Sequence, residues 1–243
     1  QGDQNVAVGV GALQSQSNST DVNAQNTAVG YNAGLSMTTG VENTFVGATA
    51  GDATTDADFN VGIGWGALGA NTVGSKSVAV GVGTLDAQNP TTATDMHNTA
   101  VGHGAAGGVT TGRYNTLMGS ISAQNLTEGG RNTALGYGAL QTDTLGSRST
   151  AVGFNALGTQ NFTSATDNYN IGIGYDAGGA VTTGQNNTII GGLAGDALTT
   201  GGNNVAIGIE ALSGDTTGSN STAIGRNALF AQNFTGSENS ENT

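Results

Sequence analysis

Two hexapeptides, GWGALG at residues 64–69 and GHGAAG at 102–107, match GxGxxG, the spacing with which a strand-to-helix turn cradles a pyrophosphate. That chemistry needs a helix to follow, and neither stretch precedes a helical apolar pattern. His97 and His103 are the only histidines, and no Cys or carboxylate accompanies them at a metal-ligand spacing. A nucleophile elbow GxSxG does not occur. The acidic pair Asp56 and Asp58 could hydrolyse a glycosidic bond only inside a shaped cleft. These residues predict that the chain is not an enzyme. Calcium is the one cofactor for which turn carboxylates and carbonyls offer ligands. The GGxGxD repeats of calcium-binding solenoids are missing, however, so Asp52, Asp95, Asp167 and Asp196 read as turn residues.

Composition narrows the partners. The chain has 243 residues, 36% hydrophobic and 5% aromatic, with 43 glycines, one proline and no cysteine. That is too little apolar content for an ordinary core and too little charge and proline for a disordered chain. A formal charge of −12 opposes binding to nucleic acid, and no apolar run approaches the ~20 residues that span a bilayer. The opening QGDQ, with neither initiator Met nor signal peptide, suggests a segment of a longer chain.

The glycines that fail as a cofactor motif belong to a repeat. A phrase of the form NTAVG begins at residues 5, 26, 43, 60, 77, 98, 115, 132, 149, 170, 187, 204 and 221. The intervals are 21, 17, 17 and 17, so thirteen coils follow a 72-residue supercycle, and residues 1–243 read as one repeat array. Counting each coil from its Asn or Ser, position five is always Gly, position four always apolar and position eight small. Position nine is Leu in the first and last coils of a supercycle and Gly or Ala in the middle two; position thirteen of every 17-residue coil is Thr.

Short runs such as TAVGY alternate with period two and no stretch carries a helical stripe, so the fold class is all-β. Strands recurring at a short fixed interval predict a parallel β-solenoid, a β-roll or β-helix of 17- and 21-residue coils. Thirteen rungs at ~4.8 Å would make a rod of roughly 60 Å. Val, Ile, Leu and Met at position four read as the core row. Ala at position three and Gly at position five read as a smooth strip on the opposite face, suited to a second chain. The expected assembly is a parallel homotrimer.

The segments SVAVG (77–81), NVAIG (204–208) and STAIG (221–225) resemble the repeats of trimeric autotransporter adhesin heads of the YadA-like kind. NTAVGYNAG followed by TTG is similar to β-roll repeats in phage tail fibres and related bacterial surface proteins. The resemblance covers essentially the whole chain and implies a trimeric β-roll serving as a structural segment of an extracellular fibre, phage or bacterial. The 17- and 21-residue coils are longer than the head family's.

Three features could touch partners. Position six is variable, and Tyr31, Trp65, Tyr137, Phe154 and Tyr175 there read as outward aromatics able to stack on glycans or a cell-surface receptor. Sequons at Asn18, Asn125, Asn161 and Asn233 permit glycosylation. The four extra residues of each 21-residue coil form a loop that either carries recognition or is a passive duplication. Stacked Thr at positions two and thirteen open an alternative, an ice-binding β-solenoid.

Overall fold

The structure is a computed structural model that describes residues 4–17, 23–234, 236 and 242. The fold is an all-β parallel solenoid, and no helix occurs among the described residues. The chain divides into two compact units, Gln1–Leu117 and Met118–Thr243. The first stacks the strands Val6–Val8, Thr27–Val29, Thr44–Val46, Val61–Ile63, Val78–Val80 and Thr99–Val101 in chain order. The second stacks Thr133–Leu135, Thr150–Val152, Ile171–Ile173, Thr188–Ile190, Val205–Ile207 and Thr222–Ile224. The strand Thr116–Met118 straddles the division. Every described pairing of these strands is parallel and sets position two on two, three on three and four on four, as Thr44↔Val61, Phe45↔Gly62 and Val46↔Ile63 show.

Burial corrects the sequence reading of the two strand faces. Position three is the inward row: Ala28, Phe45, Ala79, Ala100, Leu117, Ala134, Ala151, Ile189 and Ala206 are fully buried. Position four points out, and Ile63, Met118 and Ile173 are 39%, 43% and 37% exposed. The Ala and Gly of position three are therefore small because the coil interior is narrow, not because a second chain lies against them.

The interior is filled by complementary volumes from positions three, nine and twelve. In the third coil of each supercycle, position three is large (Phe45, Leu117, Ile189) and position nine small (Gly51, Ala123, Gly195). A Cβ on Gly51 would lie 2.5 Å from the Phe45 ring. In the fourth coil the sizes exchange: Gly62, Ala134 and Ala206 face Leu68, Leu140 and Leu212. In the second, both are small, and position twelve supplies Met37, Val109 and Val181. Each of these cross-sections is thus filled by one or two large side chains.

Left-handed residues turn the chain tightly enough to close such a small coil. Leu68 (φ 57°), Leu85 (φ 50°) and Leu140 (φ 52°) hold conformations that L-residues seldom adopt. Their side chains are buried, and Leu68 N–H donates to Thr84 O of the following coil at 3.1 Å, while Gly66 N–H donates to Ala48 O of the preceding one at 3.1 Å. Through this turn Gly64 and Gly66 bond back to the preceding coil, Leu68 and Ala70 bond forward to the following one, and these bonds and the burial offset the strain.

Position one is a buried ladder. Asn43 Oδ1 accepts the backbone N–H of Asn60 at 2.9 Å, and its Nδ2 donates to Ala57 O of its own coil at 2.8 Å. The same two bonds recur at Asn26 and Asn60. One side chain thereby pins each coil shut and ties it to the next. Where position one is Ser, the coil has 21 residues and a Gln at position twelve fills the gap. Ser77 Oγ donates to Gln88 Oε1 at 3.1 Å, and Asn98 Nδ2 donates to the same oxygen at 3.0 Å. Gln160 and Gln232 each donate to the Oγ of their own coil's serine and accept from Asn170 and Asn242.

The Thr row at position thirteen is a second ladder. Thr127, Thr182 and Thr199 each donate their hydroxyl to the carbonyl of the next coil's Thr, at 3.0, 3.2 and 2.7 Å. These hydroxyls are committed to the fold.

Candidate functional site

Three surfaces and one buried cluster hold the residues with chemistry. The first is the row at position six. Tyr31, Trp65, Tyr137, Phe154 and Tyr175 are 59%, 61%, 52%, 50% and 59% exposed, as the variability of that position predicts. Stacking at every rung brings three of them together. The rings of Tyr137 and Phe154 lie 5.3 Å apart at 11°, and those of Phe154 and Tyr175 5.5 Å apart at 12°. The result is an exposed aromatic ladder within the second unit; Tyr31 and Trp65 stand outside it.

Beside position six on the outward sheet face lie positions two and four. Thr, Val and Ile at two, with Val, Ile, Leu and Met at four, leave an apolar face that is half-buried or exposed at every rung. An antiparallel sheet open to water would alternate polar residues onto such a face.

The sequence reading missed the third surface, the last position of each coil. The chain has five basic residues, and Lys76, Arg131 and Arg148 occupy this position, with Arg113 one residue before it. In the first unit His97 stacks on Tyr114 at 5.4 Å and Arg113 Cζ lies 5.7 Å from the Tyr114 ring centre. In the second, Arg148 lies 5.6 Å from the Tyr169 ring centre. Asp95 and Asp167, read as turn residues, pair with this row: Lys76 Nζ is 2.6 Å from Asp95 Oδ2, and Arg148 Nε 2.9 Å from Asp167 Oδ2. The bond from Lys76 holds the Asp95 carboxyl below its usual range. The signal was present in the sequence, since aligning coils by their last residue gathers most of the positive charge into one column.

The fourth is buried and polar. Asp143, at position twelve, is a buried carboxylate whose pKa burial raises, with the Gln160 amide and the Phe162 and Gly146 N–H groups opposing that shift. Its Oδ2 accepts from Gln160 Nε2 at 2.6 Å, and its Oδ1 from Gly146 N and Phe162 N at 3.0 and 3.1 Å. Asp215 repeats the set with Gln232, Gly218 and Phe234. Seventy-two residues before Asp143 stands Asn71, and where Phe162 stands the earlier copy has Pro90. Proline has no N–H to satisfy. Asn71 Oδ1 accordingly accepts from Gly74 N at 3.1 Å and Gln88 Nε2 at 3.4 Å, and its Nδ2 donates to Gly74 O at 2.8 Å. Asp goes with an N–H, Asn with a proline.

That pairing predicts a coupling. Asp143→Asn places an amide donor against either the Gln160 amide or the Phe162 N–H, at a cost of about 1–3 kcal/mol for the group left unsatisfied. In a Phe162→Pro background the same change should cost less by about 1 kcal/mol, read as the interaction term of a double-mutant cycle in urea. Additive single effects would contradict it. Because folding raises this carboxyl's pKa, the folded state holds the proton to higher pH than the unfolded one. Asp143's contribution to stability therefore falls as pH rises from the ordinary carboxylate range through the raised value.

Among the described residues, no group of three or more His, Cys, Asp and Glu side chains is placed to hold a metal ion. Asp52 and Asp86 approach the gap above Gly69 from neighbouring rungs; burial raises the Asp52 pKa and the Asp86 charge adds to it. The GxGxxG stretches are turns at positions five to ten, with no helix after them. Of the sequons, Asn125 and Asn233 are exposed, while Asn161 is half-buried with its Oδ1 accepting from Thr144 Oγ1 at 3.0 Å. Asn18 lies outside the described residues. No helix is long and apolar enough to cross a membrane among the described residues.

A scan against protein-family models finds no match, and searches of curated proteins and of solved structures find none either.

Proposed function

We propose that the chain is a structural segment of an extracellular fibre, a phage tail fibre or bacterial surface adhesin, that self-associates through its outward sheet face. The carrying observation is the row of Val, Ile, Leu and Met at position four, half-buried or exposed at each rung. An apolar face extended over successive coils is more than single exposed residues explain. Its features repeat at the strand spacing of ~4.8 Å, and a second copy of the same chain has the matching period. The row read from sequence as core then becomes core of an assembly, a parallel homotrimer as the resemblance implies. The aromatic ladder Tyr137–Phe154–Tyr175 offers contact with a glycan or receptor.

Sedimentation tests the reading. The native chain should sediment as an oligomer in micromolar solution, and Val46→Glu with Val80→Glu should give a folded monomer, because both side chains point out of the coil. A native chain that is monomeric and fully folded would overturn it.

Ice binding is the second reading. The position-thirteen hydroxyls are taken up by backbone carbonyls, so it would rest on the outward Thr of position two, such as Thr27, Thr44, Thr133 and Thr150. Thermal hysteresis from the purified chain, lost on replacing Thr133 and Thr150 with Glu, would favour it over the fibre.

A further inference from the structure

The extra residues of the 21-residue coil that begins at Ser77 shape a groove in the first unit. Its volume is about 300 Å³ and it is lined by Pro90, Thr91, Thr92, Thr94, Thr111 and Arg113. Thr94 pairs with Gly74 in a short parallel bridge, and its Oγ1 donates to Thr92 O at 2.8 Å, which holds one wall. Thr91, Thr92, Thr111 and Arg113 are exposed. The carboxylate nearest in sequence, Asp95, is engaged with Lys76 at 2.6 Å. Arg113 contacts the Tyr114 ring and forms no ion pair among the described residues.

We propose that this groove binds a saccharide residue bearing a single carboxylate. The guanidinium supplies a planar two-point donor that matches a carboxylate. Thr91, Thr92 and Thr111 offer hydroxyls that exchange hydrogen bonds with sugar hydroxyls, Thr94 Oγ1 can accept one more, and the buried Pro90 closes the floor of the groove. The volume lies at the lower end of ligand pockets, about 300–1,000 Å³, which suits one sugar ring better than a bare ion. One cation in a chain of net charge −12 suits a monoanion and opposes polyanions. The next supercycle places Phe162, Thr163, Ser164 and Thr166 in the loop and Gln185 at the arginine position, so the site is not repeated there. The inference does not rest on the fibre reading, since the groove belongs to a single chain.

The four arginines allow a direct test on the full chain. In a ¹⁵N spectrum of the side-chain Nε–H groups, Arg113 is the signal lost in R113Q. Methyl glucuronide should shift that signal saturably, with Kd on the order of 1 mM, while the neutral methyl glucoside leaves it in place. R113Q, with unchanged melting temperature, should weaken binding at least tenfold by ligand-observed NMR. An Arg113 signal that ignores the glucuronide, or that moves equally with glucoside or inorganic phosphate, would overturn the proposal. So would R113Q binding as tightly as the native chain.

Discussion

Alanine in place of Gly47 is expected to lower stability by more than about 3 kcal/mol, the sum of a strained backbone and a clash that cannot relax. Gly47 sits at φ +135°, and a Cβ there would lie 2.5 Å from Gly64 O and 2.7 Å from Gly64 C. Those atoms are backbone of the next rung, itself held by Gly64 N–H to Val46 O at 2.8 Å, so neither side can yield without opening the stack. Gly192→Ala is the control: nothing lies within 4 Å of its Cβ position, and its effect should stay within about 0.5 kcal/mol. Urea unfolding followed by circular dichroism separates the two, and equal midpoints would refute the stacking explanation of position five.

Asn43→Ala should cost about 2–4 kcal/mol in the same assay, because it strands two buried backbone groups rather than one. Asn60 N–H loses its acceptor and Ala57 O loses the Asn43 donor, both at a side chain with no solvent exposure. Asn43→Ser should fail almost as badly, since a hydroxyl cannot span to position fifteen. Adding Thr54→Gln imitates the Ser77 and Gln88 arrangement and should recover part of the loss. A serine variant as stable as the native chain would mean that the ladder contributes little.

How far these features were legible depended on whether the backbone or the side-chain volume wrote them. Position five Gly and position one Asn each answer to a backbone constraint that repeats at every rung, so counting found them. The inward and outward faces were read in reverse, because a three-residue strand buries one residue and the larger hydrophobics of position four drew the assignment. The true marker was covariation: Phe45, Leu117 and Ile189 recur 72 residues apart, each with a small partner at position nine. Only residues that share a confined space trade volume in that way. The Arg113 groove was not legible at all, since the loop's Pro90 and Thr91 meet Thr111 and Arg113 only after the coil has turned.

The matched pairs Asn71 with Pro90 and Asp143 with Phe162 bear on how such a chain can change length. Excising one 17-residue coil would set a buried glutamine against an apolar neighbour and a large interior residue against another. Excising 72 residues returns each interior side chain to neighbours of the same kind, provided that the cut does not part a matched pair and set Asn71 against Phe162. Recombination between copies therefore preserves these contacts only in whole four-coil blocks whose ends fall outside such a pair, and loss of a single coil is expected to destabilise the fold.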